Sequence, residues 1–253
     1  MKVSVITICY NSAGTIEDTI QSVLAQDYPN IEYIIVDGAS KDNTVEIVGK
    51  YKSQIARIIS EPDKGIYDAM NKGVALATGD IVGILNSDDI YAYNGVITDV
   101  VNKFRETNAL GVYADLVYVD RNQTNKIIRY WKSGKYKPGA FKFGWMPPHP
   151  AFFVKKEVYD KFGHFNLSLR SAADYEIMLR FIHKHQIPIA YFPKVITKMR
   201  VGGQSNVTVK NRYKANREDK LAWQLNGLKP LPVTFILKPL RKVGQFINKK
   251  ARI

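Results

Sequence analysis

Short apolar strands alternate with helices through the first 107 residues, and this alternation constrains the fold more than any other feature. The predicted strands are Val3–Cys9, Ile31–Val36, Ile55–Ser60 and Ile81–Leu85. Helices are predicted over Ala13–Ala25, Asn43–Tyr51, Ile66–Ala77 and Gly95–Thr107. Short, mainly apolar strands joined by helices indicate right-handed βαβ units and a mostly parallel sheet with helices on both faces.

Polar residues follow each of these four strands. The segments are Tyr10–Ser12, Asp37–Ser40, Glu61–Gly65 and Asn86–Asp89. Open parallel sheets bind ligands beyond the carboxyl ends of their strands. The sequence therefore predicts a binding site at this edge of the sheet.

The regular alternation of strands and helices ends at about residue 110. Strands are predicted over Val112–Asp120, Lys126–Trp131, Ile187–Phe192 and Val195–Val201, with helices over Lys155–Lys161 and Ala172–Lys184. The segment Ser133–Pro150 is rich in glycine, proline and aromatic residues and is predicted to be irregular.

Positive charge is concentrated at the C-terminus. Residues 210–253 contain 12 Lys or Arg and two acids, so they carry +10 of the net charge of +14. Apolar residues interleave with these cations over a stretch too short to span a bilayer. We expect either a basic amphipathic tail that lies on an anionic membrane or a helix packed on the main domain. Nucleic acid is not expected as a partner, because the charge is confined to the tail.

The N-terminus and the cysteine content bear on location. The chain enters its first strand at Val3 without a signal-like apolar region, and no apolar run of about 18 residues occurs. Cys9 is the one cysteine, which excludes an internal disulfide framework and a zinc cluster of thiolates. We expect a cytoplasmic protein, peripheral on the cytoplasmic face of a membrane.

Three of the carboxylates that follow the apolar strands are candidate site residues. Asp37 suits hydrogen bonding to a base or a ribose, and it equally suits a turn that caps the next helix. Asp88 and Asp89 are adjacent, so their charges repel unless a cation or hydrogen-bond donors compensate. Oxygen ligands at a strand end favour Mg²⁺ or Mn²⁺ over a simple helix cap.

Two further candidates lie in the second half. Asp174 is predicted in the first turn of a helix, where an aspartate is most often a cap. His149 lies between prolines in Met146–Pro150 and is read as a ligand, a metal neighbour or a surface residue, the last being favoured.

An ordered series of motifs resembles the family 2 inverting glycosyltransferases, which have the nucleotide-sugar-binding GT-A fold. The series is Val3–Thr7 with Tyr10 and Asn11, Val36–Thr44, Asp68–Gly73, Ala77–Asp80, Leu85–Asp89, His149–Phe153 and Ala173–Arg180. It covers about residues 1–205, and Asp63–Asp68 looks like bacterial surface-polysaccharide enzymes. The resemblance implies an α/β fold with a mostly parallel Rossmann-like sheet, and the charge distribution adds a basic helical tail. We therefore divide the chain into a catalytic domain, 1–209, and the tail, 210–253. The domain has a nucleotide-binding half, 1–110, and an acceptor half, 111–209.

The resemblance also implies roles for individual residues. Nucleotide-sugar binding falls to Thr7, Asn11, Asp37, Lys64, Asp68, Asn71, Asn86 and Ser87. The family's Asp-x-Asp metal motif has Asn86 in its first place here, so the predicted metal ligands are Asp88 and Asp89. The general base is Asp174, because Ala173 fills the place where relatives often have Glu. His149 and Arg200 are predicted neighbours of the acceptor or the metal.

The implied reaction moves a sugar from a nucleoside-diphosphate sugar, UDP-linked by the resemblance of Asp37, to an acceptor hydroxyl with inversion. The implied cofactor is Mn²⁺ or Mg²⁺, and the acceptor is a glycan or a lipid-linked sugar of cell-surface assembly. A non-catalytic nucleotide-sugar-binding partner subunit is the alternative, supported by the departures at Asn86 and Ala173. A nucleotidyltransferase fits less well, because Asn11–Gly14 is too poor in glycine for a phosphate loop.

Overall fold

A computed structural model describes residues 1–202 and 209–247. Its strands are β1 (Val3–Cys9), β2 (Ile31–Asp37), β3 (Arg57–Ser60), β4 (Ile81–Ile84), β5 (Asp89–Tyr91), β6 (Gly111–Val119), β7 (Ile127–Trp131), β8 (Phe152–Lys155) and β9 (Ile189–Arg200). Its helices are α1 (Ile16–Leu24), α2 (Thr44–Gly49), α3 (Ile66–Leu76), α4 (Val96–Thr107), α5 (Lys156–Phe162), α6 (Ala173–Met178), α7 (Val209–Leu225), α8 (Thr234–Leu240) and α9 (Gly244–Ile247). Short 3₁₀ turns occupy Lys52–Gln54, Ala140–Phe143 and His149–Ala151.

All the described strands form one sheet in the order β3-β2-β1-β4-β8-β6-β9-β5, and β7 pairs with β6 beside this path. The first four strands are mutually parallel, as the alternation predicts. Strand β8 is antiparallel to both β4 and β6, while β6 and β9 are parallel. The predicted α/β class, with a mostly parallel sheet flanked by helices, is confirmed.

Burial on both faces explains why β1 is mainly apolar, although the polar residues Ser4 and Thr7 are buried too. Ile6 and Ile8 point into one hydrophobic cluster, which contains Met70 of α3. Val5 points into the opposite cluster, which contains Ile20 of α1. Side chains of a strand alternate between the faces of a sheet, so each helical layer receives every second residue.

The second half departs from the predicted boundaries. The two predicted late strands are one strand, β9, in which Phe192 pairs with Ala114 and Val195 with Asp115, so two residues bulge out. The predicted helix 172–184 begins as α6 and continues as a π-helical segment, Leu179–Lys184. Strands β5 and β8 were not predicted, because three or four residues are too short to carry a recognisable periodicity.

The C-terminal segment packs on the main domain in part. Ala222 and Trp223 of α7 are fully buried in the cluster that contains Tyr175. The Trp223 indole donates to the Tyr175 hydroxyl at 2.9 Å. This contact agrees with the packed-helix alternative for α7, and the domain boundary at residue 209 stays a prediction. No described helix is both long and apolar enough to cross a membrane.

Candidate active site

The carboxyl ends of the first strands meet at one edge of the sheet, as the strand-end pattern predicts. Cys9, Asp37 and Ser60 are register partners at the ends of β1, β2 and β3. Ile84 at the end of β4 pairs with Ile6 of β1. The loops that follow these strands are therefore neighbours in space.

Asp37 is the buried centre of the turn after β2. Its carboxylate accepts hydrogen bonds from the Ser40 amide at 3.0 Å and from the Ser60 hydroxyl at 2.7 Å, as well as from the Ser40 hydroxyl. These donors hold the carboxylate in place, and recognition of a nucleobase by Asp37 stays a prediction.

The loops after β1, β2 and β4 are joined by direct hydrogen bonds. The Asn11 amide donates to the Ser40 hydroxyl at 2.8 Å, and Asn11 Oδ1 accepts from the Lys41 amide at 2.8 Å. The hydroxyls of Ser12 and Ser87 lie 2.8 Å apart. Asn11 and Ser87, both predicted donor-site residues, are thus brought into one wall.

An exposed aromatic residue flanks this wall. Tyr10 is 52% exposed at the end of β1. A Cβ atom on Gly38 would lie 3.4 Å from the Tyr10 ring and 2.4 Å from Asp63 Oδ2, so a larger residue would require the Asp63 side chain to move. Tyr10 and Asp63 therefore lie close to Gly38, which directly follows Asp37.

Thr7 lies beneath the wall and does not face solvent. Its side chain is fully buried, and its hydroxyl accepts from the Tyr33 hydroxyl at 3.1 Å. Direct contact between Thr7 and a nucleotide stays a prediction.

The acidic segment after β4 is largely buried. Burial raises the pKa of Asp88, while the positive charges of Arg121 and Arg200 oppose the shift. Burial and the charge of Asp88 raise the pKa of Asp89 well above its usual value, against a hydrogen bond from Asn86 and the charge of Arg200. That bond, from the Asn86 amide to Asp89 Oδ2, is 2.9 Å long.

The oxygen atoms of this segment suit a divalent cation. Asn86 Oδ1 and Asp89 Oδ1 are buried and lack hydrogen-bond partners in the structure. Among the described residues, no group of three His, Cys, Asp or Glu side chains converges to hold an ion alone. Hard oxygen donors in small number fit Mg²⁺ or Mn²⁺ when a phosphate group completes the coordination.

Arg200 is buried against the acidic segment and donates a hydrogen bond to its backbone. It is 4% exposed, donates to the Asp88 carbonyl at 3.1 Å and forms an ion pair with Asp18. Its Nε donates to the Arg121 carbonyl at 3.0 Å. These contacts make Arg200 a positioning residue for the Asp88 loop, and its role as a neighbour of the acceptor or the metal stays a prediction.

Asp174 lies in the first turn of α6 beside an aromatic cluster. The Tyr67 hydroxyl donates to Asp174 Oδ1 at 3.1 Å. The Tyr67 ring stacks on Phe165 at 5.8 Å, and the His149 ring meets Phe165 edge-on at 5.5 Å. Burial lowers the pKa of His149, and the charge of Asp174 opposes that shift. His149 is therefore buried close to the predicted base, whereas a surface position was favoured from the sequence.

The remaining predicted donor-site residues lie on or near α3. Lys64 is exposed, and its amide donates to the Asp68 carboxylate at 3.0 Å. Asn71 is a clamp for Phe165, donating to its carbonyl at 2.9 Å and accepting from its amide at 2.9 Å. Donor contact by these three residues stays a prediction.

The charges of the acidic segment and of the predicted base both raise the pKa of one tyrosine. Tyr118 of β6 and Asp89 of β5 are both register partners of Met199 in β9. Burial raises the pKa of Tyr118, Arg129 opposes the shift, and the charges of Asp89 and Asp174 raise it further. The charges of Asp89 and Asp174, which are 85 positions apart in the chain, therefore both raise the pKa of the Tyr118 hydroxyl.

Sequence reasoning missed Tyr10, Tyr67 and Tyr118. Tyr10 carried a usable signal, since it directly follows an apolar strand at the binding edge. Tyr67 and Tyr118 lie within apolar helix and strand patterns, where an aromatic residue indicates core packing. Their roles emerge only from long-range contacts.

Comparisons with known proteins identify the family of the chain. The family model described as Glycosyl transferase family 2 matches residues 4–175. An uncharacterized glycosyltransferase of Mycobacterium tuberculosis is 35% identical over 186 residues, covering 70% of this chain and 68% of the relative. A PGL/p-HBAD biosynthesis glycosyltransferase of Mycobacterium bovis is 27% identical over 214 residues, covering 83% of this chain and 81% of the relative.

Solved structures share the fold at low identity. Staphylococcus aureus TarS 1-349 in complex with UDP-GlcNAc superposes with a TM-score of 0.68 and 19% identity, covering 90% of this chain and 68% of that one. The mannosyltransferase PcManGT of Pyrobaculum calidifontis, in complex with GDP-Man and Mn²⁺, superposes with a TM-score of 0.67 and 20% identity. The match covers 95% of this chain and 69% of that one. The strand-end site, the GT-A-like sheet and the match over residues 4–175 together place this chain in glycosyltransferase family 2.

Proposed function

We propose that this glycosyltransferase moves a sugar from a UDP-sugar to an acceptor hydroxyl with inversion at the anomeric carbon. The observation that carries the proposal is that the charges of Asp89 and Asp174 both act on Tyr118, which shares its register partner Met199 with Asp89. A group that stabilises the departing diphosphate and a group that accepts the acceptor proton must reach one sugar, and this arrangement supports that requirement.

In the proposed reaction, Asp174 accepts the proton of the acceptor hydroxyl as general base. The acceptor oxygen forms a bond to the anomeric carbon from the face opposite the diphosphate. The bond between that carbon and the diphosphate oxygen breaks, and its electron pair leaves with the UDP. The Tyr67 hydrogen bond fixes the orientation of the Asp174 carboxylate during this step.

The donor is held by the strand-end loops in this proposal. The uracil binds beside Tyr10, Gly38 and Asp37, with the exposed Tyr10 ring available for stacking. Asn11 and Ser87 line the wall beside it. Asp68 and the exposed Lys64 flank the donor sugar and phosphates.

Asp88 and Asp89, with the unpartnered Asn86 oxygen, would hold a Mn²⁺ or Mg²⁺ ion. When bound, that ion supplies positive charge to the diphosphate. The Mn²⁺ present with the PcManGT mannosyltransferase supports this choice. A bound cation would offset the burial that raises the pKa values of both aspartates and the repulsion of Asp88 that raises the pKa of Asp89.

We also propose that the acceptor is a glycan or lipid-linked sugar of the cell surface, met at an anionic membrane. Five exposed apolar side chains recur at helical spacing along the α8 and α9 segment: Val233, Ile236, Leu240, Val243 and Phe246, each 43–60% exposed. Residues 220–253 contain eight Lys or Arg and no acid. An apolar row flanked by cations suits the interface of an anionic bilayer, on the cytoplasmic face in this proposal.

The alternative of a non-catalytic partner subunit is not favoured. Its support was the pair of departures at Asn86 and Ala173. Asp174 retains a hydrogen-bond donor in Tyr67, and relatives over most of the chain are named as glycosyltransferases.

Donor binding tests the proposed function directly. Thermal stabilisation would be measured with UDP and GDP, each with Mn²⁺ or with EDTA, and product formation from UDP-sugars would be followed by mass spectrometry. We expect UDP with Mn²⁺ to raise the melting temperature and Asp37→Asn to reduce that shift. Absence of stabilisation by either nucleotide would contradict the proposal.

Membrane docking is tested with vesicles of phosphatidylglycerol and phosphatidylcholine. We expect Ile236→Asn with Leu240→Asn to weaken sedimentation with anionic vesicles. Leu167→Asn is the matched control, because Leu167 is 48% exposed outside the tail. Equal sedimentation of the double variant and the control would reject docking through this row.

A further inference from the structure

A cavity of about 280 Å³ lies apart from the strand-end loops, between the end of β7, residues 144–146 and the helices α8 and α9. Nothing in the proposed reaction uses it. Its walls combine cationic and aromatic side chains, and these residue types indicate which class of ligand the cavity binds.

The charge of the lining is entirely positive. Lys132, Lys238, Arg241 and Lys242 contribute to the walls, and no Asp or Glu does. Lys238 is neutralised by Asp219 at 2.7 Å. Lys132 and Arg241 form no ion pair with any described residue, and residues 203–208 and 248–253 contain no Asp or Glu.

The guanidinium of Arg241 is held in place by the protein. Its Nε donates to the Phe143 carbonyl at 2.8 Å, which leaves the two terminal nitrogens for another acceptor. A guanidinium presents a fixed fork that matches phosphate oxygens.

The apolar walls are rigid. Trp131, Trp145 and Met146 line the cavity. Trp145 donates from its indole to the Ser133 carbonyl at 2.8 Å and packs edge-on against Tyr113 at 5.5 Å. The Trp145 indole held in this way suits packing against a sugar ring or a prenyl chain.

Two contacts connect this cavity to the proposed active site. Lys238 lies 3.5 Å from the ring centroid of Tyr175, which directly follows Asp174. On the other side, Arg129 donates to the cavity residue Gln245 at 2.6 Å and lies 4.3 Å from the ring of Tyr118. Arg129 also has a buried Nη2 without a hydrogen-bond partner.

We infer that the cavity binds the phosphate or diphosphate group of a phosphorylated glycan or lipid, and that this molecule is the acceptor. The second half of the inference rests on the proposed function. Binding of the anion itself does not, because it depends on Lys132 and Arg241 and on none of the donor-site residues.

Binding is tested by calorimetry on the full chain with inorganic pyrophosphate and with geranyl diphosphate. EDTA is present throughout, and each titration is repeated in excess UDP. We expect both probes to bind and UDP not to displace them. The double variant Lys132→Gln with Arg241→Gln should lose about tenfold or more in affinity, since each lost cation removes a charge-assisted hydrogen bond.

Lys50→Gln with Lys52→Gln is the matched control, because it removes the same charge from exposed positions of the nucleotide-binding half. Tighter binding of geranyl diphosphate assigns a lipid-linked ligand, and equal binding assigns a water-soluble phosphorylated glycan. Equal affinity of the two double variants, or displacement of the probes by UDP, would overturn the cavity site. Failure of sugar transfer with intact probe binding would overturn the proposed function alone.

Discussion

Replacing Asn71 with alanine distinguishes a donor contact from a structural clamp. In the structure, Asn71 joins α3 to the loop before α6 through two hydrogen bonds with Phe165, each 2.9 Å long. Both bonds are partly buried, and each contributes about 1–1.5 kcal/mol to stability. Their combined loss should lower the free energy of unfolding by about 2–3 kcal/mol.

For a domain of this size, that loss corresponds to a fall in melting temperature of about 4–12 °C. Phe165 stacks on Tyr67, which holds Asp174, so turnover should also fall. Asn102→Ala is the control, because Asn102 is exposed on α4 and has no such clamp.

The assays are urea unfolding followed by circular dichroism and steady-state kinetics with the UDP-sugar varied. The clamp predicts lower stability and lower kcat. If Asn71→Ala instead kept the stability of the parent and raised only the KM for the donor, the clamp would be refuted and Asn71 would be a donor contact.

Three further predictions concern Glu32, Asp88 and the divalent metal. Hydrogen bonds from Lys2, Ser4 and Thr78 outweigh burial and lower the pKa of Glu32 to about 2. Glu32→Gln should therefore cost about 2 kcal/mol at pH 7. Because this stabilisation is present above the unfolded pKa of 4.5 and lost as pH falls toward 2, the gap between variant and parent in chemical unfolding should close over that range. Asp88→Ala should abolish the response of transfer to Mn²⁺, and a response equal to that of the parent would place the ion elsewhere. EDTA should stop transfer by the parent enzyme, and addition of Mn²⁺ should restore it; transfer unaffected by EDTA would contradict a metal-assisted step.

The nucleotide-binding half was the more predictable part of the chain. Its strands are apolar because both faces are buried, and this leaves a clear pattern in Val3–Cys9 and Ile81–Ile84. The carboxyl ends of parallel strands necessarily share an edge, so the convergence of the polar loops followed from the alternation alone. The structure confirms that convergence through the register of Cys9 with Asp37.

The acceptor half depended on contacts that local patterns do not record. Tyr67 and Asp174 are 107 residues apart, and Arg200 and Asp18 are 182 apart. Arg200 was predicted only as a neighbour of the acceptor or the metal, and its ion pair with Asp18 and its hydrogen bond to the Asp88 carbonyl become visible only in the structure. Trp223 shows the same effect, because a basic segment gave no sign that its tryptophan fills the core.

The central claim is that Asp174 removes the acceptor proton beside a donor held by the strand-end loops. Asp174→Asn keeps the size of the side chain and can still meet the Tyr67 hydroxyl. Donor binding by calorimetry and turnover by mass spectrometry should be measured on the same preparation. The account predicts donor affinity within about twofold of the parent and a fall in kcat of about 10²–10⁴. Turnover equal to that of the parent would contradict it.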